Sequence, residues 1–265
     1  MIAALLLASI GGCGLPDPPS VELAYTGCIF YLDGAGGGCW MVDWGREVND
    51  GLRRFGYAGQ FHNFRWQTGL GPWADQVASV SYKRSKAAEL AGRIATHASD
   101  HPQCPVSLIG FSAGAAVAVY ALEELPSACA VDSAVLVAPS MSAYYDLSTA
   151  LRHVRGQTYV LISNRDAVLQ RLVPWVGTAD RMPLGDCVAG VDGFKRRDGA
   201  DYATVKTIPW QPEFEQFGNF GGHTDAVRAA FVSAHVAPLL MGDGVASAHA
   251  AARTVATDRL AMTAR

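Results

Sequence analysis

The 265-residue sequence is short of charge, and the charge it has is not basic. Asp, Glu, Lys and Arg make up 17% of it, and 21 basic against 24 acidic side chains leave a formal net charge of −3. That removes the electrostatic case for a nucleic-acid partner, which needs a surplus of Lys and Arg. With half of the residues hydrophobic, the chain is also excluded from the disordered class. The apolar run from Ile2 to Ile10 is well short of the roughly 20 residues that span a bilayer. No two cysteines have zinc-knuckle spacing, so no metal site is expected, and nothing in the sequence asks for a cofactor or an obligate protein partner. No repeat and no long linker interrupts residues 21–241, which read as one domain between an N-terminal segment over 1–20 and a tail over 242–265.

The N-terminal segment carries its own signal. Ile2 to Ile10 suits the hydrophobic region of a signal peptide, and Ile10-Gly11-Gly12-Cys13 resembles a bacterial lipobox, whose cysteine is lipidated. No Lys or Arg precedes Cys13, a departure from the usual basic start. The expectation is an exported lipoprotein, anchored through Cys13 and facing the periplasm or the cell exterior. Without a working signal the chain is cytoplasmic. Lipidation of Cys13 leaves Cys28, Cys39, Cys104, Cys129 and Cys187, an odd number with at least one free thiol. Cys104 and Cys129 each precede a predicted core strand, and a disulfide between them is a candidate.

Short apolar runs alternate with helical patterns along the domain. Strands are expected at Cys28–Leu32, Phe61–Trp66, Val106–Gly110, Val131–Ala138, Thr158–Ser163 and Ala203–Ile208. Helices are expected at Ser81–Ala98, Ala113–Leu125, Asp146–Val154 and Asp225–Leu240, the last with Val227, Phe231 and Ala234 on its apolar side. Such alternation implies an α/β fold with a mostly parallel central sheet and helices on both faces.

One strand-to-helix junction carries chemistry. Val106 to Gly110 leads into Phe111-Ser112-Ala113-Gly114 and a buried Ala/Val-rich helix. A serine hydroxyl is a poor nucleophile and must be presented to a base at the tip of a tight turn. Bulk two positions before or after it would strike the adjoining strand and helix, so Gly110 and Gly114 fit there. The helix that follows points its N-terminus at the site, which favours developing negative charge.

With this motif, residues from about 26 to 240 resemble the α/β-hydrolase family of serine esterases and lipases. The resemblance implies Ser112 as nucleophile, followed in chain order by an acid and a histidine. His223, in Gly221-Gly222-His223-Thr224-Asp225, precedes the final helix. His62, His97, His101, His153, His235 and His249 sit in strand, helix or tail contexts and read as surface or packing residues. Asp166, directly after the strand Thr158–Ser163, is the preferred acid, with Asp146 and Asp225 as alternatives.

The resemblance further implies an oxyanion hole of two backbone N–H groups. Ala113 supplies one, and Ala35, with Gly36 second, supplies the other from the loop Asp33-Gly34-Ala35-Gly36-Gly37-Gly38. Asp33 stands where the family carries a loop-shaping histidine. No segment is long enough for a large cap domain after Ala138, whereas residues 167–202 could fold partly over the site. Trp40, Trp44, Trp66 and Trp73 are candidates for an acyl pocket or for the core. The function implied is cleavage of a small-molecule ester or lipid through an acyl-enzyme intermediate. Thioester, amide and acyl-transfer chemistry would use the same residues. A non-catalytic, membrane-tethered binding protein on the same fold is the other class.

Overall fold

The computed structural model describes residues 27–38, 43–182, 187–195 and 201–241. Cys13 and its segment, Cys39, Trp40 and the tail over 242–265 lie outside the described residues. Six strands form one sheet: β1 (Cys28–Leu32), β2 (Gln60–Asn63), β3 (Val106–Phe111), β4 (Ser133–Val137), β5 (Thr158–Ile162) and β6 (Val205–Pro209). Their order is β2-β1-β3-β4-β5-β6, and every neighbouring pair is parallel. Parallel pairing requires crossovers, and the helices supply them.

Because strand residues alternate between faces, the sheet carries two cores. Phe30, Leu32, Leu108, Leu136 and Val160 pack on one side under α3 (Val80–Asp100) and α4 (Ala113–Glu123). Ile29, Tyr31, Ile109, Phe111, Val135 and Leu161 pack on the other under α1 (Trp44–Phe55) and the C-terminal helix. Helix α1 buries Val48, Leu52 and Phe55 at helical spacing. Asp43 caps its start by accepting Arg46 N–H, and Gly56 ends it at φ 109°. Helix α4 is buried on all sides from Ala113 to Leu122, as its lack of polar residues requires.

Three expected elements differ. Strand β2 ends at Asn63, not Trp66, because Phe64 and Trp66 turn inward and are buried. The helix expected over Asp146–Val154 shrinks to α5 (Ser148–Leu151). The final helix is not continuous from Asp225. A 3-10 turn, Asp225–Val227, is followed by Arg228 in extended geometry, and the helix proper starts at Ala229, whose N–H donates to Glu47 Oε2 at 3.0 Å. A π-turn over Val232–Val236 follows.

The candidate disulfide is corrected. Cys104 and Cys129 are both free thiols. Their turns have different partners: Cys104 lies beside Cys28 of β1, whereas Cys129 lies near His153 and Arg155, on the approach to β5. Adjacency of the strands therefore does not bring the sulfurs together.

Candidate active site

Ser112 has φ 52° and ψ −119°, a conformation that non-glycine residues rarely adopt. Its N–H donates to Val137 O (2.9 Å), and its carbonyl accepts from Ser140 N–H (3.2 Å), so the end of β4 and the residues after it hold the turn. The two glycines of the motif are accounted for by close approach. A Cβ on Gly110 would lie 2.7 Å from Ala115 Cα, and one on Gly114 would fall on the carbonyl oxygens of Asp33 and Leu32.

His223 comes from the loop between β6 and the C-terminal helix. Its Nε2 lies 2.9 Å from Ser112 Oγ, and its Nδ1 lies 2.6 Å from Asp166 Oδ2. Asp166 is 1% exposed, and its other oxygen accepts the N–H groups of Val168 and Leu169 at 3.0 Å each. A carboxylate so held can only accept from the ring, which places the proton on Nδ1 and leaves Nε2 to accept from the serine hydroxyl. Ser163 Oγ donates to Gly221 O at 2.7 Å and ties the histidine loop to the end of β5.

The structure places the other acids elsewhere. Asp146 is exposed and accepts Ser148 N–H at the start of its short helix. Asp225 accepts Phe220 and Gly222 N–H groups within its own turn. Neither meets His223.

The loop after β1 runs alongside the serine: a Cβ on Gly34 would lie 3.2 Å from Ser112 Cβ. Its donors are mostly engaged. Gly34 N–H donates to Asp33 Oδ1 (2.9 Å), Gly36 N–H to Asp75 Oδ2 (2.8 Å) and Gly37 N–H to Gly34 O (3.1 Å). Within residues 34–37 this leaves the N–H of Ala35 without a partner among the described residues. Gly36, the second candidate donor, is therefore corrected: its N–H is already bonded. Ala113 N–H, at the first turn of α4, also has no partner among the described residues.

Asp33 itself bonds inward. Its Oδ1 accepts from Tyr31 and Gly34, while its backbone carbonyl accepts Trp66 Nε1–H at 2.7 Å. Its Oδ2 is buried without a hydrogen bond, and burial pushes the carboxyl up to about 6. Trp66 is thus core, not pocket lining.

Ser112 and His223 open onto a cavity of about 420 Å³ lined mainly by apolar groups, including Ala35, Trp44, Trp73, Phe111, Leu172 and Val176. One wall is α2 (Pro72–Val77) and the other is the turn Val168–Leu172 with α6 (Val173–Val176). Of the rest of the expected lid, the described residues around Gly190 bond elsewhere: Gly190 N–H donates to Pro139 O and its carbonyl accepts Ser163 N–H, beside the ends of β4 and β5. Sequence reasoning missed α2 and three of its companions. Asp75 also accepts Thr68 N–H and Oγ1–H. Gln76 Nε2–H donates to Gly177 O (2.9 Å), and buried Lys83 donates to the carbonyls of Gln76, Ala78 and Ala179. Burial lowers the Lys83 ammonium to about 8. The available signal was Gly71-Pro72, a helix start with proline in the first turn.

Six parallel strands, with the strained serine leaving β3, the acid after β5 and the histidine after β6, settle the architecture. The chain has the α/β-hydrolase fold. No protein-family profile and no curated protein sequence matches it. Solved structures of similar backbone include a dienelactone hydrolase from Anabaena variabilis, at 19% identity over 83% of this chain and 85% of that one, TM-score 0.46. XC6422 from Xanthomonas campestris, an a/b serine hydrolase without lid, shares 15% identity over 83% and 84%, TM-score 0.47. TT1662 from Thermus thermophilus shares 16% over 82% and 89%, TM-score 0.49.

Proposed function

We propose that the protein is a serine hydrolase that cleaves carboxylic esters with an apolar acyl group. The observation that carries this is the hydrogen-bonded series from Ser112 Oγ through His223 to Asp166, at 2.9 and 2.6 Å, at the floor of an apolar cavity. In this reading Ser112 Oγ attacks the ester carbonyl as its proton passes to His223 Nε2. Asp166 holds the imidazole tautomer and stabilises the imidazolium. The N–H groups of Ala113 and Ala35 donate to the developing oxyanion. His223 then returns the proton to the leaving alcohol, and water releases the acyl group by the same steps in reverse order.

The test is labelling with a fluorophosphonate probe. The wild type labels, and Ser112→Ala, folded as judged by its far-UV spectrum, does not. A folded wild type that stays unlabelled would overturn the reading. A chain-length series of p-nitrophenyl esters then sets the acyl group, with rates expected to rise from acetate toward medium chains as the cavity fills. We also propose that Cys13 carries the lipid that the lipobox-like segment suggests; palmitate incorporation lost in Cys13→Ser is the expected result.

A further inference from the structure

Both walls of the cavity end in large apolar side chains that face solvent. Leu70, beside α2, is 83% exposed and Trp73 63%; across the mouth Leu172 is 49% and Trp175 91% exposed. Trp73 and Leu172 also line the cavity, so the exposed surface runs without a break into it. The two walls are joined by Gln76 to Gly177 and by Lys83 to Ala179, which makes them one rim and not two loose segments.

This rim also presents no exposed acidic side chain on either wall. Residues 66–79 contain one ionisable side chain, Asp75, and it is buried. Residues 167–182 contain two exposed ones, Arg171 and Arg181, the latter donating to Val176 O of α6, and one buried, Asp180. Exposed apolar surface on this scale marks a contact site, and tryptophan is the residue that settles at a lipid–water boundary.

We propose that the rim of Leu70, Trp73, Leu172 and Trp175 docks the protein on a lipid surface, from which the cavity draws its substrate. The inference rests on the ester-hydrolase reading. Its choice of occupant follows from position: whatever sits on the rim closes the mouth above Ser112. A second copy of the chain or a protein partner would block turnover. A lipid surface is the occupant that also supplies an apolar chain to the cavity. Exposed charge on the two walls is confined to Arg171 and Arg181, whose long stems let the guanidinium groups stay in the headgroup water, so docking on uncharged lipid needs no buried ion.

The experiment uses the full chain carrying Cys13→Ser and Ser112→Ala, so that neither an attached lipid nor turnover contributes. It is sedimented with sucrose-loaded phosphatidylcholine vesicles. The chain pellets with vesicles, and adding Leu70→Ser and Trp175→Ser, neither of which lines the cavity, lowers the bound fraction at least fivefold. In the chain with Ser112 intact, the same double substitution leaves hydrolysis of soluble p-nitrophenyl acetate within twofold. Hydrolysis of a long-chain ester presented in vesicles falls at least fivefold.

A folded chain that stays in the supernatant overturns the proposal, as does a double variant that pellets equally. A dimer seen by light scattering and broken by the double substitution overturns it in favour of a second copy. Vesicle binding without hydrolysis of any ester overturns the enzymatic reading and leaves the docking surface standing.

Discussion

Asp75 and Gly36 lie 39 residues apart, and the carboxylate of one accepts the backbone N–H of the other at 2.8 Å. That bond fixes the loop whose next N–H inward, Ala35, is proposed to meet the oxyanion. Asp75→Asn replaces an acceptor with a donor against Gly36 or Thr68 and should tilt the loop. Turnover is expected to fall about ten- to a hundredfold, with KM little changed, since the loss is confined to the transition state. Steady-state kinetics on p-nitrophenyl esters checks this, and fluorophosphonate labelling should slow in parallel.

The acid assignment has a sharp control. Asp166→Asn should lower turnover on the order of a hundredfold or more, because an amide at this position no longer enforces the proton on Nδ1. Asp146→Asn should leave it within twofold. Equal effects of the two substitutions would remove Asp166 from its proposed role.

Asp33 makes stability depend on pH. Its carboxyl titrates near 3.8 in the unfolded chain and is raised to about 6 by burial. A group whose folded value is raised contributes its stability in full below the unfolded value and loses it as pH climbs through the folded one. The loss therefore runs between about pH 4 and pH 6 and is complete at neutral pH. Asp33→Asn, neutral throughout, should gain on the wild type across that window, by up to about 3 kcal/mol at pH 8. Thermal melts of both proteins at pH 4, 5, 6 and 8 test the trend; a constant difference would refute it.

Lys83 should act as a structural knot. Lys83→Met keeps the stem but strips three carbonyls of their donor, at a cost of about 3 kcal/mol or more. Since two of those carbonyls belong to opposite walls of the cavity, KM for longer esters should rise while labelling by a small fluorophosphonate persists. Denaturant unfolding and a chain-length series measure the two effects.

Much of this was legible in the residues. The motif around Ser112, the position of Asp166 after its strand and the glycine-flanked His223 are local patterns, and each stands next to a strand or helix that hydrophobic periodicity reveals. What was not legible depends on distant partners. The break before Ala229 needs Glu47, 182 residues away, and the engaged state of Gly36 needs Asp75. The cysteines misled because the turns before two adjacent strands lie against different segments, Cys104 by Cys28 and Cys129 by His153. Lys83 reads as a surface residue of an amphipathic helix until the carbonyls around it are seen.

Ser112 and His223 are separated by 111 residues, and the three polar groups leave three different strands. Contacts of that range form only after the intervening chain has collapsed, since loop closure must precede them. A partly assembled sheet, with β3 and α4 in place but β6 undocked, would carry a strained serine and no base. On the proposed reading, nascent or misassembled chains would thereby be inert toward surrounding lipid, and recovery of activity during refolding would mark a late docking event of the sheet rather than its first.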